Sequence, residues 1–348
     1  MGSLFVQALQ MVAGAEFHGV ASRGRACADS FVSRFGAGRA YQSYEELLQD
    51  PAVDIVYVAT RNEFHREDSL AAINAGKAVV CEKPFALSAT EGREVVEAAR
   101  NRKVFCMEAM WMRSSPAVSR VRELIKSGSI GELRLVTAQL GFPRPFDPQS
   151  RIFAKPGGGA LFDLGVYPLS FVHALLGPPI RIQSVPLIGP TRVDDQFTAV
   201  LEYESGCQAV IAASLRAQLA NGAAVYGTEG IIDGIEPMYF PTCHRNLRSS
   251  AGGSAGRRPQ SWFSRGLFGV LRRVRLALPV GSRTDDPATH GSTIQYKVVN
   301  GYAWEVEAVQ KCLLGGLLEN PEMRLDETIE ILESMDTIRA EWAQQVRG

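Results

Sequence analysis

Between residues 16 and 107, short apolar runs alternate with longer stretches in which apolar residues recur at a helical spacing. The short runs are rich in Val, Ile and Ala and lack polar alternation, as strands buried on both faces require. This alternation predicts parallel strands joined by crossover helices. The predicted strands cover residues 17–22, 53–60, 78–82 and 104–107.

Two of the connecting segments carry the same helix-start signal. Ser43 is followed three residues later by Glu46, and Ser88 by Glu91. This spacing is that of a capping box, in which the serine and the glutamate satisfy each other's backbone N–H groups. We therefore predict that helices begin directly after Ser43 and Ser88.

The pattern changes after Trp111, where the strand candidates become longer. A helix is predicted over 116–126 and ends at Gly128. Residues 203–207 read Tyr-Glu-Ser-Gly-Cys, which predicts a hairpin turn and hence a mostly antiparallel sheet. Two helices close the chain, the second capped by Asp326. The strands are predicted at 132–142, 180–188, 196–203 and 208–216, and the closing helices at 302–318 and 326–343.

The length of 348 residues predicts two domains, because single cores rarely exceed about 250 to 300 residues. The change of pattern divides the chain into a parallel-sheet domain over 1–110 and a domain with a mostly antiparallel sheet over 111–348. The fold class is thus α/β in the first domain and α+β in the second. A composition of 46% hydrophobic and 21% charged residues is that of a globular chain.

Lys plus Arg and Asp plus Glu both number 37, so the overall charge gives no reason to expect nucleic acid as a partner. Residues 245–283 nevertheless contain nine arginines and no acidic residue. We interpret 245–290 as a flexible surface insertion. Two alternatives stay open: an amphipathic basic element over 262–280 that touches an anionic membrane surface, and a substrate or subunit contact.

Six separated cysteines without a C-x-x-C pair fit neither a zinc site nor a disulfide framework, and they indicate a reducing compartment. The most hydrophobic region, 157–180, is interrupted by Asp163, Gly165 and Pro168, so no transmembrane helix is predicted. The start of the sequence also lacks the features of a secretion signal. We predict a cytoplasmic protein that binds no metal.

The first candidate for chemistry is Glu82-Lys83-Pro84, at the end of a predicted buried strand. Ligands of open α/β sheets bind outside the carboxyl ends of the strands, where an ammonium can donate to a substrate hydroxyl and to a cofactor ribose. The alternative interpretation of Lys83 is an exposed lysine before a proline turn.

The second candidate is the segment 157–168, Gly-Gly-Gly-Ala-Leu-Phe-Asp-Leu-Gly-Val-Tyr-Pro. The glycines permit close approach of a ligand, and a helix after them would present Asp163 and Tyr167 on one face. Tyr167 can exchange a proton with an alcohol or carbonyl oxygen if a cation such as Lys83 lowers its pKa. The alternative is a capped helix with a structural Asp163 and a packed Tyr167.

Together these motifs resemble the Gfo/Idh/MocA oxidoreductase family, named after glucose-fructose oxidoreductase and inositol dehydrogenase. The segments 59–65, 108–113 and 320–328 are similar to its dihydrodiol dehydrogenase and NADP-dependent D-xylose dehydrogenase subgroup. The resemblance implies hydride transfer between a nicotinamide cofactor and an aldose sugar or trans-dihydrodiol. It also implies a Rossmann-like dinucleotide-binding domain over 1–110, followed by a substrate and dimerisation α+β domain with an open-faced sheet over 111–348, and a homodimer formed through that sheet. By the same resemblance Lys83 and Tyr167 would be the catalytic pair, with Asp163 holding the substrate.

The cofactor is expected to be NADP rather than NAD, because Ser22 and Arg23 follow the first predicted strand where an NAD enzyme usually has an acidic residue. His65 is included because Thr60 and Asn62 accompany it, although it is also an ordinary helix-start residue. Arg151, Phe153 and Trp111 are candidates for the substrate pocket. The full set of expected cofactor contacts is Ser22, Arg23, Thr60, Asn62, His65, Glu82, Lys83, Pro84, Trp111 and Arg113.

The sequence departs from the family at its start. The family begins with a strand and a G-x-G-x-x-G turn, whereas Met1-Gly2-Ser3-Leu4-Phe5 corresponds to the third glycine and the helix after it. We expect the natural product to begin upstream, and cofactor binding to be weak without the missing strand. Two alternatives follow: a catalytically weak pseudoenzyme or sensor of the same fold, and a membrane-surface variant.

Overall fold

The computed structural model describes residues 2–248, 282–286, 291–296 and 300–345. None of the helices in these ranges combines the length and the apolar character needed to cross a membrane. The helices are α1 (Gly2–Leu9), α2 (Arg25–Phe35), α3 (Tyr44–Gln49), α4 (His65–Asn74), α5 (Ala89–Arg102), α6 (Pro116–Lys126), α7 (Val166–Leu176), α8 (Tyr302–Leu314) and α9 (Leu325–Gln345). The strands are β1 (Gly19–Val20), β2 (Arg39–Ala40), β3 (Ile55–Val58), β4 (Ala78–Glu82), β5 (Cys106–Ala109), β6 (Leu133–Gly141), β7 (Arg181–Ile188), β8 (Asp194–Glu202), β9 (Gln208–Ser214), β10 (Ala223–Gly227), β11 (Gly230–Glu236), β12 (Cys243–Arg248), β13 (Ser282–Asp286) and β14 (Gly291–Gln295).

The first half is built from parallel strands joined by helices, which confirms the predicted architecture. Among the described residues these strands form two separate sheets, β1-β2 and β3-β4-β5. Helix α8 packs on one face of the larger sheet through Val309 and Cys312. The predicted helix starts are also confirmed, because Ser43 accepts from the N–H of Glu46 and Ser88 from that of Glu91.

The second half contains one large sheet with strand order β13-β14-β12-β11-β10-β6-β9-β8-β7. Only the β6–β9 pair in this order is parallel, so the predicted mostly antiparallel sheet is confirmed. The turn between β8 and β9 is the predicted hairpin, with Gly206 at φ +76°. Helices α7 and α9 lie against one face. On the edge strand β7, Val185 and Leu187 are 70% and 54% exposed.

Two expectations about the second half need correction. Helix α9 begins at Leu325, so Asp326 lies in its first turn and is not its cap. The N–H of Leu325 donates a hydrogen bond to the Glu319 carboxylate at 2.8 Å. Residues 243–248 form strand β12, so the start of the expected insertion belongs to the sheet. Most of that insertion, including the basic stretch 262–280, lies outside the described residues.

Candidate active site

Lys83 lies where the two halves of the molecule meet. It follows β4, and its side chain is 9% exposed. Its Nζ donates to the carbonyl oxygen of Asp163 at 2.6 Å and lies 4.0 Å from the Oδ1 atom of the same residue. The same ammonium stands 4.8 Å from the centre of the Tyr167 ring. The structure therefore places all three expected catalytic residues around one point.

Asp163 lies in a π-helical turn, Leu161–Gly165, that precedes α7. The sequence predicts a regular helix here, so this wider turn is a difference from the expectation. Such turns frequently occur at functional sites because they change which side chains share a face. Here the Asp163 side chain is 27% exposed while Tyr167 is buried.

The surroundings of Tyr167 shift its pKa in opposite directions. Trp111 donates from Nε1 to the Tyr167 hydroxyl at 2.9 Å, which favours the ionised phenol and lowers the pKa. Burial, followed by the charge of Glu82, raises the pKa of Tyr167 well above its ordinary value. Loss of solvent dominates, so the net shift is opposite to the lowering expected from Lys83.

Trp111 is fixed in turn by stacked aromatic rings. It lies 4.6 Å from Tyr302 and 4.9 Å from Phe240, with interplanar angles of 15° and 5°. Offset stacking of this kind contributes about 0.5 to 1.5 kcal/mol per pair beyond burial. The rings therefore hold the indole N–H that reaches Tyr167.

Buried carboxyl groups surround the end of β4. Glu82 is 4% exposed and accepts from the hydroxyls of Tyr57 and Tyr302. Glu305, on α8, is fully buried, and neither of its side-chain oxygens has a hydrogen-bond partner among the described residues. Burial raises the pKa of Glu305 well above its ordinary value, because the charged form loses its solvent. The sequence gives no sign of Glu305, which lies more than 200 residues from Glu82.

The loop after β3 carries the other expected cofactor contacts. Thr60 donates to Asp68 at 2.7 Å, and Asn62 donates from Nδ2 to the carbonyl of Gly157 at 2.9 Å. His65 is buried, with Nδ1 2.7 Å from the Pro84 carbonyl oxygen and Nε2 3.2 Å from that of Thr60. Burial lowers the pKa of His65. Both contacts are with carbonyl oxygens, and the tautomer of the ring decides which nitrogen donates. His65 thus joins the Thr60 loop to the Lys83 loop.

Ser22 and Arg23 follow β1 at a separate position. Ser22 is partly exposed and Arg23 is exposed. The Arg23 guanidinium carbon lies 5.6 Å from the centre of the Phe64 ring, in the loop that also carries Asn62. A hydroxyl beside a guanidinium is a donor set that suits a phosphate group.

Arg113 lies elsewhere, contrary to the expectation that it contacts the cofactor. It is 3% exposed and donates to the carbonyl oxygens of Ser170 at 3.0 Å and Glu322 at 2.9 Å. It also forms an ion pair with Glu327. Because all three guanidinium nitrogens have partners inside the protein, Arg113 ties α7 to α9 and we leave it out of the site.

Asp194 is a further residue at this site, and the sequence analysis does not identify it. Its Oδ2 accepts the N–H of Leu161, the first residue of the π turn, at 2.7 Å. Its Oδ1 lies 2.1 Å from the position that a Cβ on Gly159 would occupy. Gly159 has φ +115°, which favours glycine. Asp194 therefore holds the glycine turn from which Asp163 and Tyr167 extend.

The remaining pocket candidates differ in exposure. Phe153 is buried and packs at 5.3 Å against Phe146. Arg151 is exposed and lines a small cavity with Asn62 and Asp163. Phe153 therefore belongs to the wall of the second half, and Arg151 stands at the mouth of the cleft.

A parallel-sheet half, an open-sheet half and a lysine–tyrosine pair between them define an oxidoreductase with a dinucleotide-binding domain. Two family models match the chain: an oxidoreductase family with an NAD-binding Rossmann fold over residues 1–110, and a Gfo/Idh/MocA C-terminal domain over 118–233. The chain belongs to the Gfo/Idh/MocA family. It is an NAD(P)-dependent oxidoreductase that acts on hydroxyl groups of small molecules. The expected family, fold class and reaction type are thereby confirmed.

Proteins of similar length resemble this chain over most of its residues. Trans-1,2-dihydrobenzene-1,2-diol dehydrogenase from Bos taurus is 32% identical over 343 residues, covering 97% of this chain and 93% of the relative. The enzyme of that name from Mus musculus is 34% identical over 324 residues, covering 92% and 86%. Among solved structures, the aldose-aldose oxidoreductase from Caulobacter crescentus matches with a TM-score of 0.77 at 21% identity, covering 97% of this chain and 92% of that one. The structural match shows a shared fold.

Proposed function

We propose that the chain transfers a hydride between NADP and an aldose sugar or a trans-dihydrodiol, with Lys83, Tyr167 and Asp163 at the reacting centre. The observation that carries this proposal is the position of the Lys83 ammonium, 2.6 Å from the Asp163 carbonyl oxygen and 4.8 Å from the Tyr167 ring centre. The names of the dihydrodiol dehydrogenase relatives, at 32–34% identity, support the substrate class.

Each of these residues has a distinct part in the proposed reaction. Bound NADP supplies the hydride acceptor. Tyr167 takes the hydroxyl proton during oxidation and returns it to the carbonyl oxygen during reduction. Lys83 donates a hydrogen bond to the same substrate oxygen and stabilises negative charge on it. Asp163 accepts from a neighbouring substrate hydroxyl and orients the ring. The Tyr167 hydroxyl donates its proton during reduction, and it must lose that proton before it can accept one during oxidation.

We propose that Ser22 and Arg23 bind the 2′-phosphate of NADP. Thr60, Asn62 and Pro84 belong to the loops that would hold the rest of the cofactor, and His65 joins those loops by its contacts with two carbonyl oxygens. Glu82 and Trp111 flank Lys83 and Tyr167, and so would face the nicotinamide end. On this proposal residues 1–110 bind the dinucleotide and residues 111–348 bind the substrate.

The direct test is the reduced-nicotinamide absorbance band, followed with NADP or NAD against a panel of aldoses and trans-dihydrodiols. We expect turnover with NADP and at least one member of the panel. Absence of turnover with every combination would refute the proposed reaction.

A catalytically weak binding protein is the second candidate. It is favoured by one observation: among the described residues, the parallel strands form two sheets instead of one continuous sheet. NADP binding and turnover, measured on the same protein, separate the two functions. An enzyme oxidises at least one member of the panel with NADP bound, whereas a sensor binds NADP or a sugar without turnover.

We propose that two copies associate through the open face of the large sheet. Val185 and Leu187 on β7 are 70% and 54% exposed, and Ile180 beside them is 61% exposed. Exposed apolar residues in one patch are typical of subunit interfaces. Light scattering after size exclusion should give a dimer, and Val185→Lys should shift it toward the monomer. A wild-type monomer at micromolar concentration would contradict the proposal.

We propose a reducing compartment such as the cytoplasm, supported by six cysteines that are all free. Cell fractionation tests this location. Sedimentation with anionic liposomes at low and high salt tests the membrane-surface alternative, whose basic stretch lies outside the described residues.

A further inference from the structure

A small cavity opens beside Asp163 at the mouth of the cleft between the two halves. We call it the notch; its walls include Arg61, Asn62, Glu63, Arg151, Gly157 and Asp163. It holds about 20 Å³, which is room for a small polar group and too little for a sugar ring. If the sugar ring of a substrate lies between Lys83 and Asp163, only a substituent of that ring would therefore fit into the notch.

Hydrogen bonds tie the backbone segments around the notch to each other and to the reacting centre. Asn62 donates to the Gly157 carbonyl at 2.9 Å, which joins the two walls. The turn that carries Arg151 packs against the glycine turn, because the N–H of Gly159 donates to the Ile152 carbonyl at 2.8 Å. Asp163 belongs both to the notch and to the surroundings of Lys83.

The notch walls carry two cations, Arg61 and Arg151, and two anions, Glu63 and Asp163, and the neighbouring Lys83 adds a third cation. Arg61 pairs with Glu63 at 2.8 Å, and Lys83 lies 4.0 Å from Asp163. Arg151 has no ion pair or side-chain hydrogen bond with any other residue in the ranges that the structure describes. The Nε atom of Arg61 is buried and also lacks a hydrogen-bond partner there.

Guanidinium groups with free N–H donors bind carboxylate and phosphate oxygens, to which they can present two parallel hydrogen bonds. Arg151 is exposed, and an anionic ligand would give its charge a counter-ion that a neutral hydroxyl cannot supply. We propose that the preferred substrate carries an anionic group, a carboxylate or a phosphate, and that Arg151 binds this group in the notch. This inference rests on the proposed function, since it names the substrate class of the same site.

The test compares D-glucose, D-glucuronate and D-glucose phosphate, which present a neutral, a carboxylate and a phosphate substituent. Binding to the cofactor-free protein is measured by calorimetry, and oxidation by the reduced-nicotinamide band. Charge-assisted hydrogen bonds of this kind change affinity by about tenfold or more, so at least one anion should bind tenfold more tightly than glucose. The stronger anion identifies carboxylate or phosphate as the natural group.

The deciding variant is Arg151→Met, with Arg181→Met on the exposed edge strand β7 as its control. Arg151→Met should bring the ratio of anion to glucose affinity close to one, Arg151→Lys should keep part of it, and Arg181→Met should keep all of it. Equal binding of glucose and both anions would overturn the inference, and so would the absence of any anion binding. Weaker NADP binding in Arg151→Met, with the anion preference unchanged, would also overturn it by assigning the arginine to the cofactor.

The calorimetric result stands apart from the proposed reaction. If the anions bind through Arg151 but no substrate is oxidised, the anion site is supported and the dehydrogenase proposal fails. If glucose and dihydrodiols are oxidised without any preference for anions, the reaction is supported and the anion site fails.

Discussion

Asp194 gives the prediction whose size can be worked out most directly. It is 7% exposed, and burial raises its pKa from 3.8 to about 7. The charges acting on it come from Arg339 and from Asp195, which pairs with Arg216. Because its pKa is higher in the folded than in the unfolded state, the folded protein holds a proton that the unfolded chain releases. Asp194 therefore lowers the free energy of unfolding as the pH rises from about 4 to 7.

One pKa unit corresponds to about 1.4 kcal/mol, so ionisation of Asp194 should remove about 2 kcal/mol of stability between pH 5 and pH 7. Asp194→Asn keeps the shape and cannot ionise. Relative to the wild type, we expect this variant to gain about 2 kcal/mol across the same interval. Glu108, whose pKa burial also raises to about 7, contributes equally to wild type and Asp194→Asn. The difference in the free energy of unfolding between the two proteins therefore reports Asp194 alone.

The assay is urea unfolding followed by tryptophan fluorescence at pH 5, 6, 7 and 8. Asp194→Ala is the matched control: it loses the same titration and also leaves the N–H of Leu161 without its acceptor. It should be less stable than Asp194→Asn by about 1 to 3 kcal/mol at every pH. A difference between wild type and Asp194→Asn that stays constant from pH 5 to pH 8 would refute the reasoning.

Three further predictions follow from the site. Burial raises the pKa of Tyr167 above its ordinary value of 10, so the rate of oxidation, which needs the ionised phenol, should keep rising up to that pH while the rate of reduction stays constant; a rate of reduction that falls between pH 7 and 9 in steady-state assays would contradict this. Arg23→Ala should raise the dissociation constant of NADP about tenfold and that of NAD little, measured by fluorescence titration; equal effects on both would refute the 2′-phosphate contact. Gly159→Ala places a Cβ 2.1 Å from Oδ1 of Asp194 at φ +115°, so we expect a loss of more than about 2 kcal/mol in thermal unfolding, and a neutral result would show that the turn can relax.

Local signals account for the parts of the fold that the sequence predicts well. The strand 78–82 and the helix 116–126 agree with β4 and α6 in both bounds, because each has its own start or stop residue. Strands β10 to β14 are not predicted: β10 pairs with the distant β6, and β11 to β14 extend the sheet beyond it. Strand periodicity does not reveal such long-range pairing.

The same distinction between local signals and long-range contacts applies to the residues of the site. Lys83, Asp163 and Tyr167 can be found from short motifs because glycine, proline and the charged residues stand close together in the sequence. Asp194 and Glu305 cannot, because each acts across a long sequence separation on a group that only the fold brings near. Arg113 belongs to the same sequence motif as Trp111, but its guanidinium group is buried and bonds to three groups inside the protein instead of facing the cleft.

The most direct test of the account is a double-mutant cycle on the reacting centre, with kcat/KM measured for wild type, Lys83→Met, Tyr167→Phe and the double variant. Lys126→Met, at the exposed end of α6, serves as the control. If both residues act on one substrate oxygen, each single change should lower kcat/KM by about 100-fold to 10,000-fold. The kcat/KM of the double variant should then be only slightly below that of the less active single variant. Two small effects that simply multiply would contradict a shared catalytic centre.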